Sequence, residues 1–133
     1  SIFVSWPNYS KNKNLDNINL VSWEKWTPDK AQSIVNRPIF VDFTAAWCLT
    51  CQFNKRTVLQ SREIEDLFIS YDFALLTADW TNHDPEISLA LKKLGRRGIP
   101  VYVLYPPGGG KPIILPEILT KKILINAVEG MLR

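Results

Sequence analysis

Val41-Asp42-Phe43-Thr44-Ala45-Ala46-Trp47-Cys48-Leu49-Thr50-Cys51 decides how this chain is read. Its first residues continue a short, nearly unbroken apolar run from Ile39, the composition of a buried central strand, and Asp42 is the one charge in that run. From Trp47 through Leu59 neither Gly nor Pro occurs, which permits a helix beginning at Cys48. The chain's two cysteines therefore fall one helical turn apart at a strand-to-helix junction.

That placement has a chemical purpose. A helix N-terminus presents unpaired N–H groups and the positive end of the helix dipole, and both stabilise a thiolate at the first cysteine. Cys48 is thus expected to be the accessible attacking nucleophile. Cys51, pointing inward, is expected to attack the resulting mixed disulfide and release the product. A purely structural bridge explains the pair poorly, because closing a loop this short removes little entropy from the unfolded chain. Zinc explains it poorly too: a structural site takes four ligands, and the chain adds one histidine, His83, and no further cysteine. Inert buried thiols remain as a plain alternative, against which Trp47 and the junction itself argue. Neither a metal nor an organic cofactor is expected.

Working outward, Leu20 to Trp26 alternates roughly as a short strand, and Thr27 with Pro28 opens a helix to about Asn36 that Arg37-Pro38 breaks. After the cysteine helix, Ser61 caps a second helical piece, Arg62 to Ser70. Phe73 to Asp79 reads as a strand, Asp84-Pro85-Glu86 opens a helix that Gly95 ends, and Val101 to Tyr105 is a strand rich in β-formers. A turn at Pro106 to Gly110, a short strand at Ile113 to Leu115 and a helix from the Thr120 cap to Leu132 complete the chain. The order is β-α-β-α-β-α-β-β-α, an α/β class with a mixed central sheet and helices on both faces. Residues 1–19 mix Asn, Lys, Ser and Pro without a period and read as a tail or linker, leaving 20–133 as one domain.

Bulk composition agrees with a single packed core. The 133 residues are 46% hydrophobic and 22% charged, with a net charge of +3 that is scattered rather than striped, so no nucleic-acid surface is indicated. The longest apolar runs fall well short of the ~20 residues that span a bilayer. No basic segment followed by an apolar stretch occurs near the N-terminus, so compartment is not read from a signal.

Val41 to Cys51 resembles the active-site segment of thioredoxin-like proteins, and Gly98-Ile99-Pro100 resembles their cis-proline loop. More narrowly, Phe43 to Cys51, Ala78-Asp79-Trp80-Thr81-Asn82 and Tyr105-Pro106-Pro107-Gly108-Gly109 resemble the C-terminal periplasmic domain of the DsbD-type thiol:disulfide interchange proteins, over about Trp23 to Leu132. The resemblance implies a thioredoxin fold and a disulfide reductase module without cofactor. Such a module takes electrons from a membrane-embedded donor domain and hands them to a periplasmic acceptor domain, which would place it in the periplasm as part of an inner-membrane protein, with residues 1–19 as the linker. It also implies a cis Pro100 beside the cysteines, where the preceding backbone pairs with an extended substrate by strand addition, so Trp47, Ile99 and Pro100 are the docking candidates.

In the thioredoxin-like sheet that the resemblance implies, Asp42 would lie beneath the pair and take the proton of Cys51 through water, with a pKa raised by burial; a strand-end carboxylate in solvent is the plain alternative, against which apolar Val41 and Phe43 on either side argue. Lys55 departs from the pattern, since some family members carry a glutamate there. His83, in a polar loop, is given no role, and Asp79 and Trp80 are placed only at the border of the site. Two other functions stay open: an oxidase or isomerase of the same fold, and a non-catalytic binding module. Leu49-Thr50 sets no charge or histidine beside Cys48, which favours a reducing or intermediate potential.

Overall fold

A computed structural model of the chain describes residues 21–133, so the stretch read as a linker, residues 1–19, lies outside the described residues. Burial organises the rest around one strand. In β2 (Ile39–Thr44) every residue is buried, because the strand is flanked on both sides and covered on both faces. It pairs in parallel with β3 (Ala74–Asp79) and antiparallel with β4 (Val101–Tyr105). β1 (Trp23–Lys25) extends the sheet in parallel beyond β3 and β5 (Ile113–Ile114) antiparallel beyond β4, giving a five-stranded mixed sheet in the order β1-β3-β2-β4-β5.

Period-two alternation divides the core between two layers. Phe40, Leu75, Tyr102 and Leu104 face one side, where they meet Ile64 and Phe68 of α3 (Arg62–Ser70) and Leu124 and Val128 of α5 (Lys121–Leu132). Phe40 is the centre of this layer: its ring lies 5.2 Å from Phe68, 5.9 Å from Trp23 and 6.1 Å from Tyr102. Val41, Phe43, Leu76 and Val103 face the other side and pack on Ile87 and Leu91 of α4 (Pro85–Lys93) and on Ala31 of α1 (Pro28–Ser33). The expected fold class and element order are both present.

The helix starts follow their caps. Thr27, Ser61 and Thr120 each accept a hydrogen bond from the backbone N–H three residues on, and Asp84 accepts from Glu86 and Ile87. Several ends differ from the sequence expectation. α1 stops at Ser33 rather than Asn36, because Ile34 turns extended (φ −96, ψ 109) and packs on the sheet. β3 starts at Ala74, one residue later than expected, while β2 runs on to Thr44 and β5 stops at Ile114.

The largest difference lies after the cysteines. α2 (Leu49–Asn54) gives way to a π-helical turn over Lys55–Leu59. The wider turn lets consecutive Val58 and Leu59 both enter the core, which explains why the spacing there fits no regular helix. Gly95, at φ +76, takes the left-handed conformation that ends α4.

Because Phe40 has no exposed surface and joins three other rings, Phe40→Ala is expected to cost about 3–5 kcal/mol in urea unfolding. Leu89→Ala, at a side chain 53% exposed, is expected to change stability by no more than about 0.5 kcal/mol.

Candidate active site

β2 delivers the chain to the site. Its last residues lead through Ala45-Ala46-Trp47 to Cys48, which takes the N-cap position of α2 with extended backbone (φ −94, ψ 106). The Cys51 N–H donates to Cys48 Sγ at 3.2 Å, so the first sulfur occupies the place where an N-cap oxygen usually satisfies an orphan helix donor. A donor aimed at that sulfur favours its charged form. The two cysteines form a disulfide, with Cα atoms 5.3 Å apart.

Cys48 retains 8% of its surface and Cys51 2%, so the first cysteine is the more accessible, but in the disulfide it is largely covered as well. Ala45 and Ile99 pack against the pair. The Ile99–Pro100 peptide bond is cis and Pro100 is buried. Ile99 therefore borders the cysteines, and Pro100 follows it through the cis bond. Trp47 stands beside them, 52% exposed. The exposed apolar surface is wider than the sequence reading set out: Leu49 and Phe53, four residues apart on α2, are also open to solvent.

Asp42 lies on the sheet face that α2 covers. In register it sits between Thr77 of β3 and Tyr102 of β4, and Cys51 and Asn54 are the buried residues of the helix on that side. Only 4% of Asp42 is exposed, and among the described residues no group donates to its Oδ1. Burial therefore raises its pKa from 3.8 to about 7, against a smaller lowering effect of the Lys55 ammonium. Tyr102, its cross-strand neighbour, has its hydroxyl oxygen held by Asn54 Nδ2 at 2.9 Å, while the same amide donates to Glu117 O at 2.8 Å. Burial pushes the Tyr102 phenol up, the Asn54 hydrogen bond opposes this, and the Asp42 charge adds to it. Asn54, fully buried yet polar, was not singled out in the sequence because it lies among ordinary surface-type residues of a helix.

A second group reaches the site from the end of β3. Trp47 Nε1 donates to Thr81 O at 3.0 Å, and the Trp47 ring lies 6.2 Å from Trp80 and 5.7 Å from His83. His83, at φ +54, stacks nearly parallel to Trp47 with an interplanar angle of 14°. The sequence reading assigned His83 nothing and set Asp79 and Trp80 only at the border; the structure brings Trp80 and His83 to the side of Trp47 and bonds Asp79 to Thr81, whose carbonyl holds the indole. The missed signal is Asp79-x-Thr81, a spacing at which an Asp side chain bonds the backbone two residues on.

A protein-family model described as thioredoxin-like matches residues 23–107. The chain belongs to the thioredoxin-like family. No curated protein matches it by sequence. The reduced C-terminal domain of DsbD from Neisseria meningitidis is similar in structure, with a TM-score of 0.62 and 22% identity over 77% of this chain and 88% of that one. A thioredoxin from Thermus thermophilus gives 0.64 at 17% identity, covering 81% and 84%. An oxidoreductase named DsbH gives 0.65 at 20% identity, covering 97% and 96%. At these identities the likeness is one of fold. A thioredoxin-like domain with a disulfide at this junction supports thiol–disulfide exchange.

Asp42 carries a linkage consequence. Its folded pKa lies above its unfolded one, so the carboxyl favours the native state only when protonated and opposes it as pH rises through the unfolded value. Asp42→Asn is therefore expected to raise stability, with a gain that grows from about pH 4 to about pH 7 and is level above that, reaching a few kcal/mol at ~1.4 kcal/mol per unit of pKa difference. Urea denaturation at pH 5 and pH 8 measures it; a variant less stable at pH 8 would mean that the carboxylate is paired, not desolvated.

Proposed function

We propose that this domain is a protein-disulfide reductase that relays two electrons between protein partners through Cys48 and Cys51. The observation that carries the reading is the Cys48–Cys51 pair at a helix start, its first sulfur capped by the Cys51 N–H, with a desolvated carboxyl on the sheet face below. In the reduced domain the Cys48 thiolate attacks one sulfur of a partner disulfide. A mixed disulfide forms and the partner's second sulfur leaves as a thiolate, which takes its proton from water. Cys51 then gives its proton to the Asp42 carboxylate and attacks Cys48 Sγ, which re-forms the intramolecular disulfide and frees the partner's remaining sulfur as a thiolate. Trp47, Ile99 and Pro100 border the attack site and form the docking surface for the partner segment.

Direction and setting follow from the resemblance of Phe43 to Cys51 and of the two later segments to the DsbD-type domain. In this reading a membrane-embedded donor domain re-reduces the disulfide, a periplasmic domain accepts the electrons, residues 1–19 link the domain to the membrane part, and the module works in the periplasm. Among the described residues no helix is long and apolar enough to cross a membrane.

The roles are tested by trapping. Cys51→Ser is expected to accumulate a mixed disulfide with a protein disulfide substrate on a non-reducing gel, while Cys48→Ser accumulates little; equal trapping would remove the attack-and-resolve assignment. Asp42→Asn is expected to slow the resolving step by on the order of 10²-fold or more. The wild-type rate should rise with pH through about 7, where the carboxyl ionises. Equilibration with glutathione buffers reads the direction. A potential on the reducing side of about −180 mV supports a reductase, and one near about −120 mV would make the domain an oxidase.

A further inference from the structure

Thr81 is engaged through its N–H, its hydroxyl and its carbonyl at once. Its N–H and its hydroxyl both donate to Asp79 Oδ1, at 3.0 and 2.5 Å. Since the hydroxyl hydrogen goes to the carboxylate, the oxygen lone pairs are free to accept, and the Ala46 N–H donates to Oγ1 at 2.9 Å. The Thr81 carbonyl accepts from Trp47 Nε1 at 3.0 Å. One residue of the loop after β3 thus holds both residues that precede the first cysteine.

The loop that carries Thr81 is itself anchored. The Trp80 N–H donates to Thr44 O at 2.7 Å, which ties the loop to the end of β2. The His83 N–H donates to Trp80 O at 3.0 Å, and the imidazole lies 4.5 Å from the Trp80 ring while stacking on Trp47. An indole half in water would otherwise move among rotamers. Here its N–H edge is bonded and one face is stacked.

We propose that Thr81, oriented by Asp79, is a positioning residue that fixes the Trp47 indole and the peptide before Cys48 in the arrangement on which a protein partner docks. This rests on the thiol–disulfide exchange reading. A small disulfide needs only the Cys48 sulfur, whereas a protein chain also has to lie against Trp47 and the open apolar residues beside it. Loosening the clamp therefore penalises large substrates and spares small ones.

The test compares the reduction rates of insulin and of hydroxyethyl disulfide by the reduced domain. Thr81→Val keeps the shape and removes the hydroxyl. Its second-order rate toward insulin is expected to fall about five- to tenfold, the weight of one or two net hydrogen bonds, with the hydroxyethyl disulfide rate within about twofold of wild type. Thr81→Ser, which restores the hydroxyl, is expected to restore the insulin rate. The indole N–H of Trp47, assigned by its disappearance in Trp47→Phe, is expected to exchange with water faster in Thr81→Val. An unchanged insulin rate, an equal fall on both substrates or no rescue by serine would overturn the proposal. A wild-type domain inert toward both disulfides would overturn the exchange reading, and the proposal with it.

Discussion

Desolvation of Asp42 is the constraint around which the site is arranged. The carboxyl stands in a strand without an exposed residue, and the Lys55 ammonium, which opposes the effect of burial, is too weak to cancel it. A group held near neutrality in this way can change protonation state at ordinary pH, which a solvated aspartate cannot. The same burial makes it a cost to the fold once ionised, so the stability of this domain and its chemistry pull in opposite directions at one residue. Lys55 moderates that opposition, and a glutamate in its place would instead add a like charge and deepen it.

The architecture turns that one carboxyl into part of a site by bringing unrelated segments to it. β2 supplies Asp42 and, at its end, the approach to Cys48; β4 supplies Tyr102 as cross-strand neighbour; Ile99, whose cis bond to Pro100 comes just before β4, packs against the cysteines. The end of β3 supplies the loop that holds Trp47. The buried carboxyl therefore sits under the helix, and the exposed Trp47 beside it is held from the end of β3.

Much of this was legible in the sequence because the deciding features are local. A polar residue names the start of every α-helix described except α2, and the structure shows the side-chain caps at Thr27, Ser61, Asp84 and Thr120. A single Asp in an apolar run announces a buried charge, and Cys-x-x-Cys after such a run announces its use. What was not legible depends on partners far along the chain. Nothing local separates an α from a π turn at Lys55–Leu59, since neither Gly nor Pro marks it and the buried Asn54 that precedes it is fixed by distant Tyr102 and Glu117. Likewise His83 in Asn-His-Asp reads as a solvated turn until the fold carries it against Trp47.

The fastening of Asn54 has a consequence in time. It reaches Tyr102 across 48 positions and Glu117 across 63, so the helix bearing the cysteines is joined to strand and loop segments that follow much later in the chain. Closing such long loops costs entropy before any contact repays it, and sheets built from distant segments assemble late. Without β4 on β2, Asp42 lacks one of the two strands that flank it, and its desolvation is incomplete. A half-folded chain therefore carries the Cys-x-x-Cys motif without the surroundings that the closed sheet gives it.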